Sequence, residues 1–262
     1  MLKDFFEREK IFFYRELSLS DLTVLDPGKL SRLQSRLGSV ESAVIFLIPY
    51  FTGQKTTNLS IYAQPKDYHL YLKEITFRLN EYLAEKQSDL GVCGLTDSSP
   101  IAEREAALLA GLGVLGQNGL VLNDLYGSYF FIGEFFLSRA LSPVSPQEIQ
   151  SCPNCGACEK ACPTGAIRDP KRERCLSLLT QKKNRTPEED LLVKKAACKW
   201  GCDLCQSACP MNRAAQHTPI PFFREELISH LTEDVAELPK EDFSKRAFSW
   251  RGRDLLKRNL EE

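Results

Sequence analysis

The chain has 262 residues, 34 basic against 35 acidic side chains, a formal charge of −1 and ten cysteines. That balance excludes a globally basic nucleic-acid binder. No apolar run is long enough to span a membrane, since 43–49 is strand-length and 129–137 is interrupted by Gly133 and Glu134. Without an apolar, signal-like N-terminus the cysteines are expected in a reducing cytoplasm, where thiolates stay free to bind iron.

In chain order, residues 2–16 carry Phe5, Phe6, Ile11, Phe12 and Phe13 among charges and are predicted to form an amphipathic helix. Residues 18–39 read as turns and a short helix. The continuous apolar run 43–48, closed by Pro49, predicts a buried strand, and the polar stretch 52–60 a loop. Asp67 is placed to cap a helix whose stripe Leu70, Leu72, Ile75, Leu79, Tyr82 and Leu83 runs to Lys86. A second buried strand is expected at 90–96. Asp97-Ser98-Ser99-Pro100 then turns into a helix, with Ser99 at the N-cap and Pro100 first, reaching about Ala110.

Gly111, Gly113 and Gly116 match G-x-G-x-x-G, but they follow a helix, whereas a dinucleotide site needs a preceding strand. A nucleotide site is therefore not expected. Residues 120–122 and 129–137 are predicted as two strands joined by a turn near Asn123-Asp124 and Gly127, and Pro143 and Pro146 mark a linker. Beyond Pro219 and Pro221, helical material is expected at 222–231 and a charged last helix from about Asp242.

All cysteines but Cys93 fall between 152 and 209. Cys152, Cys155, Cys158 and Cys162 follow the C-x2-C-x2-C-x3-C-P order in which three thiolates wrap one 4Fe-4S cubane and the fourth reaches a second. Cys202, Cys205 and Cys209, then Pro210, supply a second loop. Two loops that exchange a ligand give one cluster held by Cys152, Cys155, Cys158 and Cys209. The other takes Cys162, Cys202 and Cys205, with Cys175 and Cys198 competing for its fourth corner. A zinc knuckle suits this spacing poorly, and a disulfide framework belongs to secreted, usually smaller chains.

Six strings spread along the chain resemble the epoxyqueuosine reductases, which remove an epoxide oxygen in the last step of making the tRNA base queuosine. They are YAQPKDYH (62–69), TDSSPIAEREAALLAGLGVLGQNGLVLN (96–123), GSYFFIGE (127–134), the first cysteine loop, RCLSLLT (174–180) and GCDLCQSACPMNR (201–213). The resemblance implies a cobalamin beside the two 4Fe-4S clusters, each cluster passing one electron and cobalamin supplying a strongly nucleophilic cobalt. It also implies that Cys175 completes the second cluster. Asp97 matches the family's proton donor, which protonates the oxygen released as the epoxide opens. Tyr68, His69 and Arg104 lie in supporting motifs, Ser177 and Asp203 match positions lining the corrinoid beside Cys202, and Val121 and Ile132 match walls of the cobalamin site.

The chain departs from the family pattern in places. Gln117 stands where Lys is usual, and Thr180-Gln181-Lys182-Lys183-Asn184 lacks the usual acid. The segment before Val40 lacks the family's active-site loop, and the chain stops near Leu260, where relatives continue into helical repeats that help hold tRNA.

The expected fold is α+β. A cobalamin-binding α/β sandwich (1–141) precedes a bacterial two-cluster ferredoxin-like unit (142–215) and a helical tail (216–262). The leading function is reduction of epoxyqueuosine in tRNA, fed by a ferredoxin or flavodoxin. Basic runs at Arg168, Lys171, Arg172 and Arg174, at Lys182, Lys183 and Arg185, and at 245–258 are expected to meet phosphates of the anticodon stem-loop. The alternatives are a corrinoid reductase acting on a small molecule or on another corrinoid protein, and a non-catalytic electron carrier.

Overall fold

The computed structural model describes residues 1–169 and 172–261. Helix α1 (Leu2–Arg8) is followed by strand β1 (Tyr14–Ser18), helix α2 (Pro27–Leu37) and strand β2 (Ser42–Pro49). Helix α3 (Tyr68–Glu85), strand β3 (Val92–Leu95) and helix α4 (Glu103–Leu109) come next, then the short strands β4 (Val114–Leu115) and β5 (Val121–Leu122) and the long β6 (Phe130–Leu137).

Four strands form one antiparallel sheet in the order β1-β2-β6-β3. Every residue of β2 is buried, which explains its unbroken apolar run: both of its faces are covered. Val44, Phe46 and Ile48 face Phe5, Phe6, Ile75 and Leu79 of α1 and α3. Ala43, Ile45 and Leu47 face Leu33, Ala106 and Ala107 of α2 and α4. The result is the expected three-layer sandwich, set by the period-two alternation of a strand.

Several local expectations are corrected. The N-terminal helix ends at Arg8, and residues 14–18 leave it to become an edge strand that pairs Tyr14 through Ser18 with Phe46 through Ser42. Helix α4 starts at Glu103 with Ala102 at its N-cap, not at Ser99, because the preceding segment pairs elsewhere. Pro100 O accepts the Leu25 and Asp26 N–H groups, and the Ala102 N–H donates to Thr23 O. Strands β5 and β6 do not pair with each other: Asn123 and Gly127 do form the turn, but β5 pairs with β4 in a second small sheet. The glycine segment accordingly leads from α4 into β4, with no helix after it.

The cysteine-rich region contains α5 (Ala157–Ala161), α6 (Leu176–Leu179), α7 (Pro187–Lys195) and α8 (Leu204–Ser207). Helix α7 is capped by Thr186 and Glu189, each binding the other's backbone N–H. Residues 222–231 are not helical beyond a single 3-10 turn (Pro221–Arg224), because the Ile228 N–H donates to Gln64 O instead. Helices α9 (Glu233–Ala236), α10 (Lys240–Ser244) and α11 (Arg253–Glu261) close the chain. Their apolar side chains share a core with Leu59, Ala63 and Trp200, so the tail packs onto both earlier parts. Among the described residues no helix is long and apolar enough to cross a membrane.

Candidate functional site

Cys152, Cys155, Cys158 and Cys209 line one cavity of about 200 Å³ with Leu122, Pro153 and Met211. Asn154 and Gly156 both take left-handed conformations, φ 52° and 74°, which coil the loop so that its three thiols face one space. Cys209 enters from the end of α8, which packs against α5. The Gln117 N–H lies 3.4 Å from Cys152 Sγ, a donor suited to a thiolate. Burial raises the Cys158 thiol, and Cys152 and Cys209 add to that rise.

Cys162, Cys175, Cys202 and Cys205 meet around a second cavity, of about 350 Å³. Its far wall is aromatic, with Tyr50, Tyr62, Phe130 and Phe131, and Ser177 and Ile167 line its side. Burial, then repulsion from Cys202, Cys175 and Cys158, pushes the Cys205 thiol up to about 12, although Asn118 hydrogen-bonds to it. A crowd of buried thiols of this kind ionises when a cationic centre sits among them.

No three of the described His, Cys, Asp or Glu side chains converge on a point that a single metal ion would occupy. The thiols instead surround volumes, four to each, which is the donor arrangement a cubane requires. Cys198 is buried elsewhere: it lines a separate cavity with Thr56 and Ser207, and its thiol hydrogen-bonds to Cys202. Cys93 lies in β3, with Arg36 Nη1 3.8 Å from its sulfur.

Asp97 occupies the turn between β3 and α4 in a left-handed conformation, φ 55°. Its carboxylate accepts a hydrogen bond from the Tyr68 hydroxyl. The Tyr68 ring stacks on Phe131 at 3.8 Å between centroids, and Phe131 is part of the aromatic wall. Asp97 therefore adjoins the second cavity through two rings and does not line it. Although the residue as a whole is exposed, burial of its carboxyl raises it from 3.8 to about 6, and the negative charge of Asp67 adds to the rise. Asp67 caps α3 as expected, accepting the His69 N–H at 2.9 Å.

Three expected wall residues are placed differently. Val121 is buried in the core shared with α2 and α4. Ile132 points to the same side, away from its neighbour Phe131, which reaches the cavity from the other face, because successive residues of a strand face opposite ways. Asp203 is fully buried behind the cavity, where it accepts hydrogen bonds from Ser60 Oγ and, at 2.7 Å, from the Ile61 N–H. Ser177 and Cys202 do line the cavity. The residues missed by the sequence reading are Tyr50, Tyr62 and Phe131, whose one signal was aromatic rings at strand and loop ends.

The basic runs are largely engaged within the molecule. Arg172 donates to the carbonyls of Asn118 and Gln117, Arg168 pairs with Glu159, Lys182 with Glu189 and Arg185 with Asp190. Arg253 binds the Ala236 and Leu238 carbonyls and Arg258 those of Lys182 and Lys183. Arg174 and Lys183 stand exposed, and Lys171 lies outside the described residues.

Two four-thiol cages beside a three-layer sheet unit, one of them sharing its cavity with aromatic rings, define an iron–sulfur protein. Residues 151–212 match the family of 4Fe-4S double cluster binding domains. The epoxyqueuosine reductase of Cyclobacterium marinum is 32% identical over 236 residues, covering 84% of this chain and 72% of that one. That of Francisella cf. novicida is 35% identical over 201 residues, covering 74% of this chain and 56% of that one. The chain belongs to the epoxyqueuosine reductase family. It spans little more than half the length of several curated relatives that it matches, 56%, 52% and 53%. A crystal structure of epoxyqueuosine reductase with an epoxyqueuosine-modified tRNA-Tyr stem loop has the same fold, with a TM-score of 0.76 at 24% identity, over 99% of this chain and 79% of that one.

Proposed function

We propose that this chain reduces epoxyqueuosine in tRNA to queuosine, using two 4Fe-4S clusters and a cobalamin. Cys152, Cys155, Cys158 and Cys209 hold the first cluster, and Cys162, Cys175, Cys202 and Cys205 the second. The observation that carries this reading is the second cage: its four thiols share one cavity with the rings of Tyr50, Tyr62 and Phe131. Apolar and aromatic walls suit the flat face of a corrin, and the Ser177 hydroxyl offers a polar contact beside them. Cobalamin held against Tyr50, Tyr62, Phe131 and Ser177 would supply a reducible metal centre next to the second cage.

Removing the epoxide oxygen consumes two electrons and two protons and releases water. A ferredoxin or flavodoxin delivers the electrons at the first cage, where Cys155 is exposed. Asp97 supplies a proton to the leaving oxygen. With its carboxyl lifted to about 6, a useful fraction stays protonated near neutral pH. The Tyr68 hydroxyl fixes the carboxyl's direction, and the stack on Phe131 ties it to the cavity wall. Exposed Arg174 and Lys183 support contact with phosphates, and Trp250, 60% exposed with the Arg251 guanidinium 3.8 Å from its ring centroid, offers a face for a base. The cysteine usage supports a cytoplasmic setting.

The test is anaerobic reconstitution with iron, sulfide and cobalamin, followed by turnover on an anticodon stem-loop carrying epoxyqueuosine, with Asp97→Ala alongside. A shifted cobalamin spectrum, conversion by the wild type and loss of conversion in the variant are expected. Bound cobalamin without conversion would remove this substrate, and full activity of Asp97→Ala would remove the acid.

A further inference from the structure

The glycine segment, which holds no nucleotide, ends in the turn Gly116-Gln117-Asn118-Gly119 that joins β4 to β5. The Gly119 N–H donates to Gly116 O at 2.7 Å and the Gly116 N–H to Leu120 O at 2.8 Å, which closes the turn. Asn118 lines the cavity of the first cage and also that of the second, and no other described residue lines both. The turn therefore stands between the two sets of thiols.

Its donors are turned toward sulfur. Gln117 gives its backbone N–H to Cys152 Sγ at 3.4 Å, while its side-chain amide is committed to Glu159 Oε1 at 2.6 Å. Asn118 is 5% exposed, and its Oδ1 accepts the Leu120 N–H at 3.3 Å. Its Nδ2 is buried with no oxygen or nitrogen acceptor among the described residues. A buried amide donor is seldom left unused, and four thiols stand in each cavity that Asn118 lines. The carbonyls of the turn, by contrast, are taken up by cations. Arg172 donates to Asn118 O and, at 3.2 Å, to Gln117 O, and Arg104 donates to Gly119 O at 2.8 Å. Gly119, at φ 76°, makes room for this, because a Cβ there would lie 2.6 Å from Arg172 Nη2. A cubane gains a negative charge when it is reduced, so N–H donors and cations beside it favour the reduced form.

We propose that the 116–119 turn tunes the clusters it separates, raising their reduction potentials, with Asn118 as the side-chain donor to cage sulfur and Arg172 as the charge behind it. Glu159 is the negative group on the first-cage side, and Arg168 pairs with it at 3.3 Å. Neither Asn118 nor Arg172 ligates iron in this assignment, and neither is asked to touch the tRNA. The proposal rests on the reading of the two cages as 4Fe-4S sites and is independent of the substrate.

The experiment uses the full chain loaded with iron and sulfide, without cobalamin or tRNA. Iron and sulfide are counted, and the clusters are titrated at controlled potential by electron paramagnetic resonance, in the wild type and in Asn118→Asp, Asn118→Leu, Arg172→Gln and Arg172→Lys. Asn118→Asp keeps an oxygen for the Leu120 N–H but exchanges the donor for a negative charge. It should make at least one cluster about tenfold harder to reduce, a fall of roughly 59 mV for one electron. Asn118→Leu, which loses the donor without adding charge, should shift the same way by less. Arg172→Gln should also lower a potential, and Arg172→Lys, which keeps the charge, should stay near the wild type. With both clusters loaded, unchanged or raised potentials in Asn118→Asp and Arg172→Gln would overturn the tuning. If Asn118→Asp fails to load, the Arg172 pair decides: a potential in Arg172→Gln equal to that of the wild type overturns the proposal. A wild-type chain that takes up fewer than two clusters would instead overturn the reading of the cages, and the tuning with it.

Discussion

Asn212 binds Ser128 twice: its Oδ1 accepts the Ser128 N–H at 2.8 Å, and its Nδ2 lies 2.9 Å from Ser128 Oγ. The same amide donates to Gln206 O at 2.7 Å. One side chain thus joins the sheet unit, just before β6, to the loop that ends in Cys209. All of its partners are buried, so each contact is costly to lose. Gly127, at φ 57°, exists to let it approach, because a Cβ there would meet Asn212 Oδ1.

Asn212→Ala should cost about 3 kcal/mol of stability, since it strands a buried N–H and removes two further bonds. Chemical denaturation of the cluster-loaded chain measures this. Iron loss to a chelator should quicken at the same time, because Cys209 is three residues away. Unchanged denaturation would show that water replaces the amide.

Replacing Cys175 and Cys198 separately tests the fourth corner of the second cluster. Cys175 lines the cavity of Cys162, Cys202 and Cys205, while Cys198 lies at the other side of Cys202. Cys175→Ala should lower bound iron and sulfide and alter the electron paramagnetic resonance of one cluster. Cys198→Ala should keep the full iron content, with at most a changed signal through its lost bond to Cys202. The reverse pattern would exchange their roles.

The proposed acid role requires the protonated form of Asp97, so activity should fall as pH rises through about 6, where its carboxyl ionises. At pH 7 about one molecule in ten would hold the proton. The charge on Asp67 resists that ionisation, so Asp67→Asn should move the falling limb to lower pH. Asparagine still caps a helix, so α3 should remain stable. A pH–rate profile of both proteins, with melting curves, checks the sign.

Asp203 is predicted to anchor structure and not to touch the cobalamin. Its carboxylate holds Ser60 and Ile61, which enter the loop carrying Tyr62. Asp203→Ala should destabilise by about 2 kcal/mol or more by leaving the Ile61 N–H unpaired. Asp203→Asn, which keeps an accepting oxygen, should lose much less. Burial raises the Asp203 carboxyl, partly offset by those bonds, so its contribution to stability declines as pH rises past its unfolded value. Urea titrations at two pH values measure both effects.

Cysteine spacing alone arranged seven thiols in two interleaved sets and left two candidates for the eighth place, because a short loop can cover only three corners of a cubane. The apolar run 43–48 likewise announced a strand covered on both faces, and Asp67 its helix cap. Local sequence could not choose between Cys175 and Cys198: both lie between the loops, and only the packing of α6 and α7 brings one thiol to the cavity and turns the other away. Nor could it show that Val121 and Ile132 face the core, because which side of a strand meets a ligand depends on what covers each face.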